Sequence, residues 1–598
     1  MNLSRILNKV KKGVVYVKTY GIRATWRKID RQRTLKKQSL KTEYTKEDFL
    51  KQSKTKFPKK VKFSILVPLY NTPISFLKEM IGSVQEQTYS NWELCLADGS
   101  DSAHADVEEY VKKIAQADPR ILYRKLEKNL GISENTNACI EMSTGDYIAL
   151  FDHDDVLHRS ALYEVMQVIC KQDADFIYTD ESTFLSPNLK NIIAVHYKPD
   201  FAPDNLRSNN YICHFSVFSR ALLDKVGAFR AEFDGSQDHD MILRLTEQAS
   251  KIVHIPKLLY FWRAHAQSVA QSVGIKDYAI KAAQGAIISS LERQGIFGAT
   301  VESLPRYGSI YRVRYPIVKA DKVSIIIPTK NHSEDLKKCV SSIFEKTTYP
   351  NYEIVIVDNG SDEQALFDYY EELKAYPNVV LCSLDIPFNY SKINNYAISK
   401  ASGDYYLLLN NDIEIITPEW IEEMLMFVQR KDVGAAGAML YYPDDTVQHA
   451  GVLLGMNGVA GHYFKNFGRD EIGYMGRLAY AQNVTAVTAA CMLIKASVYH
   501  EVGGLDETFE VAFNDVDLCM KIRRAGHLIV WTPFAELYHY ESKSRGYEDT
   551  VEKQRRFLGE IERFQLRWSK ELKDGDPYYN PNLSLERDDF YPKTEEEK

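Results

Sequence analysis

The sequence predicts an α/β protein built on a mostly parallel sheet, and it predicts that fold twice. Three observations carry this. "VKFSILVPLYN" (61–71) and "DKVSIIIPTKN" (321–331) are short β-rich runs that reach a proline, as a buried parallel strand feeding a loop does. Each is followed by a helical segment and a second strand ending in Asp/Gly/Asn loop chemistry, "WELCLADGSD" and "YEIVIVDNGSD". The punctuating residues also keep step. Pro68 and Pro328, like Asp98 and Asp358, lie 260 residues apart, while Asp152 and Asn410, like Asp154 and Asp412, lie 258 apart. A nearly constant offset across so many residues is the mark of a repeated domain.

Taken in order, residues 1–60 form a basic region, 61–300 a first α/β domain and 301–320 a connector. Residues 321–548 form a second α/β domain, and 549–598 a C-terminal helix and tail. Alternating strands and helices imply parallel sheets, whose ligands sit outside the carboxyl ends of the strands. The acidic loops of both copies fall there. "DYAIKAAQGAIISSLERQG" (277–295) reads as a helix, and 301–322 as an extended join punctuated by Pro and Gly. "EKQRRFLGEIERFQLRWSKEL" (552–572) reads as an amphipathic helix followed by a polar, frayed tail.

At 598 residues the chain is too long for a single core. Its composition, 45% hydrophobic and 26% charged, is that of an ordinary soluble globular protein. The eight cysteines show no C-x-x-C spacing, so neither a zinc site nor a disulfide framework is expected, which fits a reducing cytoplasm. No apolar run approaches the length of a membrane span. Charge is uneven. Residues 1–60 carry 19 Lys/Arg against 4 Asp/Glu, so a net −6 chain consists of a +15 segment and a −21 remainder. Leu3, Ile6, Leu7, Val10, Val14 and Val17 recur at helical spacing among Arg and Lys, the pattern of a helix that lies on an anionic membrane face. A basic helix docked on the acidic domains, or a disordered arm, is the alternative. The acidic remainder argues against nucleic acid as a partner.

"GDYIALFDHDD" (145–155) ends an apolar strand in three carboxylates, and "GDYYLLLNNDI" (403–413) repeats the phrase. Acids clustered after a core strand are costly unless a cation neutralises them. A nucleotide diphosphate fits: a strand-end Asp (Asp98, Asp358) faces the base. The acidic loop (Asp152, Asp154, Asp155; Asn410, Asp412) holds ribose and a divalent cation. Singly, each Asp reads as a helix cap or turn residue; the ordered set, occurring twice, favours the ligand reading. Further on, "QDHD" and "NDVD" place Asp238 with Asp240, and Asp515 with Asp517, at the start of apolar helices, which points to a positioned base. His265 and His539 follow at matching places and are candidate ligands.

These pieces resemble the inverting glycosyltransferases of family 2, which have the GT-A fold, over about 61–270 and 321–550. The matching pieces are "VPLYN" and "IPTKN", "ADGSD" and "VDNGSD", "NLGISENTNACI" and "FNYSKINNYAI", "FDHDD" and "LNNDIE", and the "QDHD" and "NDVD" helices. "LNNDIE" and "HYESKSRG" are most similar to rhamnosyltransferase-type members that build bacterial surface polysaccharides, and "RYGSIYRVRYP" to the join in tandem enzymes of that group. The resemblance implies nucleotide-sugar contacts at Pro68, Tyr70, Asn71, Asp98, Asp101 and Asp152. In the second copy it implies them at Pro328, Lys330, Asn331, Asp358, Asp362 and Asn410. It implies Mn²⁺ or Mg²⁺ on Asp154 and His265, and on Asp412 and His539, with Asp238 and Asp515 as catalytic bases. Two departures stand out: the acid that usually precedes the base is Gln237 or Asn514, and the second acidic loop keeps one Asp behind Asn410 and Asn411.

The expected reaction moves a sugar, with inversion, from a nucleotide-diphosphate donor to a lipid-linked or growing cell-surface glycan. It would take place at the cytoplasmic face of the membrane. Two alternatives remain: chemistry in one copy only, with the other binding acceptor, or a nucleotidyltransferase. The second is disfavoured by the lack of a Gly-rich phosphate loop after either first strand.

Overall fold

The computed structural model describes residues 25–27, 29, 30, 34, 44–265, 277–541 and 550–597. The expected amphipathic helix at Leu3–Val17 lies outside them. The chain divides into two compact units, one ending at Val313 and the other beginning at Arg314.

The first unit opens with β1 (Phe63–Leu69), β2 (Trp92–Asp98), β3 (Ile121–Lys125) and β4 (Tyr147–Leu150). These pair in the order β3-β2-β1-β4, all parallel. Every residue of β1 is buried, because helices cover both faces of a parallel sheet. Its one polar side chain is satisfied: Ser64 Oγ donates to Glu93 Oε1 at 2.6 Å and accepts the Gly145 N–H at 2.8 Å. A Cβ on Gly145 would lie 2.5 Å from that Oγ, so the Gly of "GDY" is required by close approach.

After β4 the sheet becomes mixed. β5 (Val156–Leu157), β6 (Phe176–Leu185), β7 (Ile192–His196), β8 (Val217–Ser219) and β9 (Ile252–Ala264) follow. β8 runs antiparallel to β4 and β6, β9 parallel to β6, and β5 antiparallel to β9. The expected helix is present at Asp277–Arg293. The expected connector instead folds as a two-stranded sheet, β10 (Thr300–Leu304) with β11 (Tyr307–Arg314). Its residues Ile310, Tyr311 and Val313 are buried, and Gln284 donates to the Val301 carbonyl, so it packs onto the first unit.

The second unit repeats the plan. β12 (Val323–Thr329), β13 (Tyr352–Asp358), β14 (Val379–Ser383) and β15 (Tyr405–Leu409) pair as β14-β13-β12-β15, all parallel. Ser324, Glu353 and Gly403 reproduce the Ser64–Glu93–Gly145 contact. Then come β16 (Ile413–Ile415), β17 (Val433–Tyr441), β18 (Val447–His449), β19 (Val452–Leu454), β20 (Ala460–His462) and β21 (Gln482–Asn483). β22 (Cys491–Lys495) and β23 (Leu528–His539) complete the sheet in the order β15-β22-β17-β23-β16.

The C-terminal helix is interrupted at Trp568, giving Val551–Arg567 and Ser569–Asp574. The tail beyond it is not frayed. Tyr578, Tyr579, Leu583, Phe590 and Tyr591 are buried, and Phe590 stacks on Phe464 at 4.8 Å. Counting its charges conceals how much apolar area these few aromatic rings bury.

Candidate functional sites at the sheet edges

Register brings the predicted residues of each unit to one edge. Leu69 pairs with Asp98 and Leu66 with Leu150, so the 151–155 loop leaves the sheet beside them. Thr329 pairs with Asp358 and Ile326 with Leu408 in the same way.

Asp98 is fully buried and accepts from Ser100 N (2.8 Å), Tyr123 Oη (2.8 Å) and Lys125 Nζ (3.1 Å). Burial raises its pKa, but these bonds outweigh burial and hold it below the ordinary carboxylate value. Asp358 accepts from Ser361. Asn71 and Asp101 bond each other reciprocally, at 2.9 Å and 3.1 Å, and Asn331 and Asp362 do the same at 2.9 Å. Their polar atoms brace the two loops against each other, with Asn71 and Asn331 at φ +49° and +55°. Tyr70, beyond Pro68, is 46% exposed.

The two expected Asp–His pairs do meet. His265 Nε2 lies 2.8 Å from Asp154 Oδ2, because β9 pairs with β5 just after the acidic loop. His539 Nε2 lies 3.3 Å from Asp412 Oδ1, because Ile413 pairs with His539 itself. Asn410 Nδ2 is also 3.3 Å from that imidazole nitrogen. In the first loop Asp152 faces His214 at 3.3 Å, and Asp155 is fully buried against Tyr260 Oη and Arg263 N, both 2.6 Å away. Burial, and then the charges of Asp154 and Asp152, push Asp155 well above the usual carboxylate range. Such crowding is what a cation relieves. Asp152, Asp155 and His214 offer ligand atoms within 4.8 Å of one another.

Asp238 begins the helix Gln237–Gln248 and accepts from Asn210 Nδ2 at 2.9 Å. Asp515 sits at the start of Asn514–Arg524 and accepts from Ala489 N at 3.2 Å. The later Asp of each motif is structural. Asp240 is buried between Arg230 and Arg244. Asp517 is buried between Arg567 and the Trp568 indole N–H, both 2.9 Å away.

In the second unit these residues open on a cavity of about 570 Å³, lined by Pro328, Lys330, Asn331, Asn410, Asp412 and Asp515. Its wall includes residues the sequence reading did not single out: Phe388, Tyr390, Thr488–Ala490, Lys553 and Arg556. Lys553 and Arg556 lie on the C-terminal helix, docked by the buried Glu560, which accepts from Val511 N (2.9 Å) and Ala512 N (3.2 Å). The spacing Lys553, Arg556, Glu560 on one helical face was the available signal. His214 left none, because its partners Asp152 and Glu181 are remote in sequence.

Each unit is therefore a parallel-rich α/β sheet with an Asp–His pair and a helix-start Asp at its carboxyl edge. The model of glycosyl transferase family 2 matches residues 64–227 and 324–503, and the chain belongs to that family. An uncharacterized protein of Sinorhizobium fredii, y4gI, is 45% identical over 536 residues, covering 88% of this chain and 58% of that protein. The O-antigen biosynthesis protein RfbC of Myxococcus xanthus is 36% identical over 525 residues, covering 87% and 40%. The N-acetylglucosaminyl-diphospho-decaprenol L-rhamnosyltransferase of Mycobacterium tuberculosis is 24% identical over 245 residues, covering 38% and 78%. The chain spans about half the length of the first two relatives.

Proposed function

We propose that the protein is an inverting, metal-dependent glycosyltransferase with two active sites. It would move sugar from a nucleotide-diphosphate donor to a lipid-linked or growing cell-surface polysaccharide. The single observation that carries this is the second-unit cavity, where Asp412, Asp515 and three cationic side chains converge. Asp515 takes the proton of the attacking acceptor hydroxyl, help that contributes about 10²–10⁴-fold. Lys330, Lys553 and Arg556 attract the diphosphate. Asp412 and His539 would hold Mn²⁺ or Mg²⁺, and Asp154 and His265 would do so in the first unit. The buried Asp412 Oδ1, without a hydrogen bond among the described residues, fits such a role. When bound, the ion neutralises charge growing on the departing diphosphate. Asp238 is the first unit's base.

The relatives' names favour surface polysaccharide, and rhamnose as one candidate sugar. No helix among the described residues is long and apolar enough to cross a membrane. The +15 segment 1–60 supports peripheral contact with the cytoplasmic membrane face.

One observation favours a narrower reading in which only the second unit is catalytic. Ala149 pairs with Val217 and Leu407 with Leu493, so His214 occupies the place of Ala490, a cavity-lining residue. An imidazole bound to Asp152 fills space that is open in the second unit.

The test is a screen of dTDP-rhamnose, UDP-hexoses and UDP-galactofuranose for nucleoside diphosphate release with and without Mn²⁺. Release that needs the ion and an acceptor glycan supports the reading. Release from no donor under any condition overturns it.

A further inference from the structure

Both units carry the same helix beyond the Asp–His pair, and load it with different charge. The helix Asp277–Arg293 and the helix Val551–Arg567 are each 17 residues long. One offset of 274 relates both helices and also relates His265 to His539. By that offset Gly285 matches Gly559, while Ala279 and Ala282 match Lys553 and Arg556. Each helix packs on the segment leading into the proposed base. Ser236 Oγ donates to the Ala279 carbonyl at 2.9 Å, and Phe557 stacks on Phe513 with ring centroids 5.8 Å apart.

The same exchange recurs around the rest of the site. Lys330 matches Tyr70 by the first-strand offset of 260, and Asn410 matches Asp152 by the offset of 258. The second-unit cavity is therefore lined by two carboxylates, Asp412 and Asp515, and by the cations Lys330, Lys553 and Arg556. At the matching places the first unit has three carboxylates, Asp152, Asp154 and Asp238, and no Lys or Arg. The basic side chains that do reach its acidic loop are committed to other acids. Arg263 is buried and meets Glu79 at 2.6 Å, and His214 lies between Asp152 at 3.3 Å and Glu181 at 3.4 Å.

We propose that the second site captures a nucleoside diphosphate through Lys330, Lys553 and Arg556 without a divalent ion, and that the first site does not. Charge supplies the reason. Three cations outweigh two carboxylates and attract the phosphates, whereas three carboxylates without a Lys or Arg repel them. Geometry supports it. Arg556 Nε lies 3.6 Å from Glu560 Oε2, and Glu560 accepts the Val511 and Ala512 amides, so the guanidinium is fixed against the segment before Asp515. Lys and Arg hydrogen bonds to phosphate are charge-assisted and therefore strong. This inference rests on the glycosyltransferase reading above and deepens it: the two sites hold their donors by different means.

The test is calorimetry of the full chain with UDP, dTDP and GDP, in EDTA and in Mn²⁺. In EDTA one equivalent of nucleotide per chain is expected to bind. Lys553→Gln and Arg556→Gln are each expected to weaken that binding about tenfold or more, the cost of one charge-assisted hydrogen bond. Lys553→Arg, which keeps the charge, is expected to retain most of the affinity. Binding that appears only with Mn²⁺, two equivalents in EDTA, or EDTA binding that survives both Gln substitutions overturns the proposal alone. So does a loss in Lys553→Arg as large as in Lys553→Gln, because packing rather than charge would then be responsible. Absence of nucleotide binding under both conditions overturns the glycosyltransferase reading and this proposal with it.

Discussion

Asp412 Oδ1 stands 3.3 Å from His539 Nε2, and both side chains are buried. The carboxylate comes from the turn just before β16 and the imidazole from the end of β23, 127 residues apart by number, and the Ile413–His539 register joins them. An unbonded buried carboxylate oxygen carries a desolvation cost that a cation would remove. Asp412→Asn and His539→Ala, each in an Asp154→Asn background, are expected to weaken Mn²⁺ binding by at least ~10-fold. Calorimetry on the full chain checks this, and unchanged affinity in both variants removes the ion from that place.

The two bases should separate by product. Asp515→Asn is expected to lower kcat for one linkage by about 10²–10⁴-fold, with the donor KM little changed. Asp238→Asn is expected to do the same for another linkage. If Asp238→Asn alters no product, chemistry is confined to the second unit.

Acid should weaken the first unit through His158. Burial lowers this imidazole from 6.5 to about 4, and its Nδ1 accepts the Ser160 N–H. The unfolded chain binds the proton more readily than the folded one. The stabilisation is therefore full above about pH 6.5 and is lost as pH falls toward 4. Thermal midpoints measured across that window should fall less steeply in His158→Phe than in the parent; identical slopes would refute this.

Trp568 is expected to be among the costliest single truncations. Its ring is 1% exposed, and its indole N–H satisfies the buried Asp517. Trp568→Ala should cost about 3–5 kcal/mol in denaturant unfolding, and should also weaken nucleotide binding by loosening the helix that carries Lys553 and Arg556. A loss below ~1 kcal/mol would contradict the packing described.

Membrane contact is expected to depend on the basic segment. Deleting residues 1–40 should abolish sedimentation with anionic vesicles at low salt and leave neutral vesicles unbound throughout. Unchanged sedimentation after the deletion would place the contact elsewhere or nowhere.

The strand and helix pattern was legible because a buried parallel strand needs an unbroken apolar run such as "FSILVPL", and because the repeat printed each signal twice. Both Asp–His pairs were legible for the same reason. The sheet pairing of 300–314 and the packed aromatic tail were not, since each depends on a surface formed by other segments. The bracing of Asn71 with Asp101, and of Asn331 with Asp362, was hidden as well. A residue type shows that an amide can bond a ligand, but not that a neighbouring loop has already taken it up.

The sequence by itself determined that an α/β domain occurs twice, that acids gather where each sheet opens, and which of them recur in order. These follow from local periodicity and spacing, which the chain carries along its length. Only the tertiary structure decided that Asp240 and Asp517 are locked in ion pairs while Asp515 faces a cavity. Only it placed His214 where the second unit has Ala490, and set His449 against His462. Those outcomes depend on which distant side chains meet, and that is fixed by strand register and helix docking rather than by neighbours in the chain.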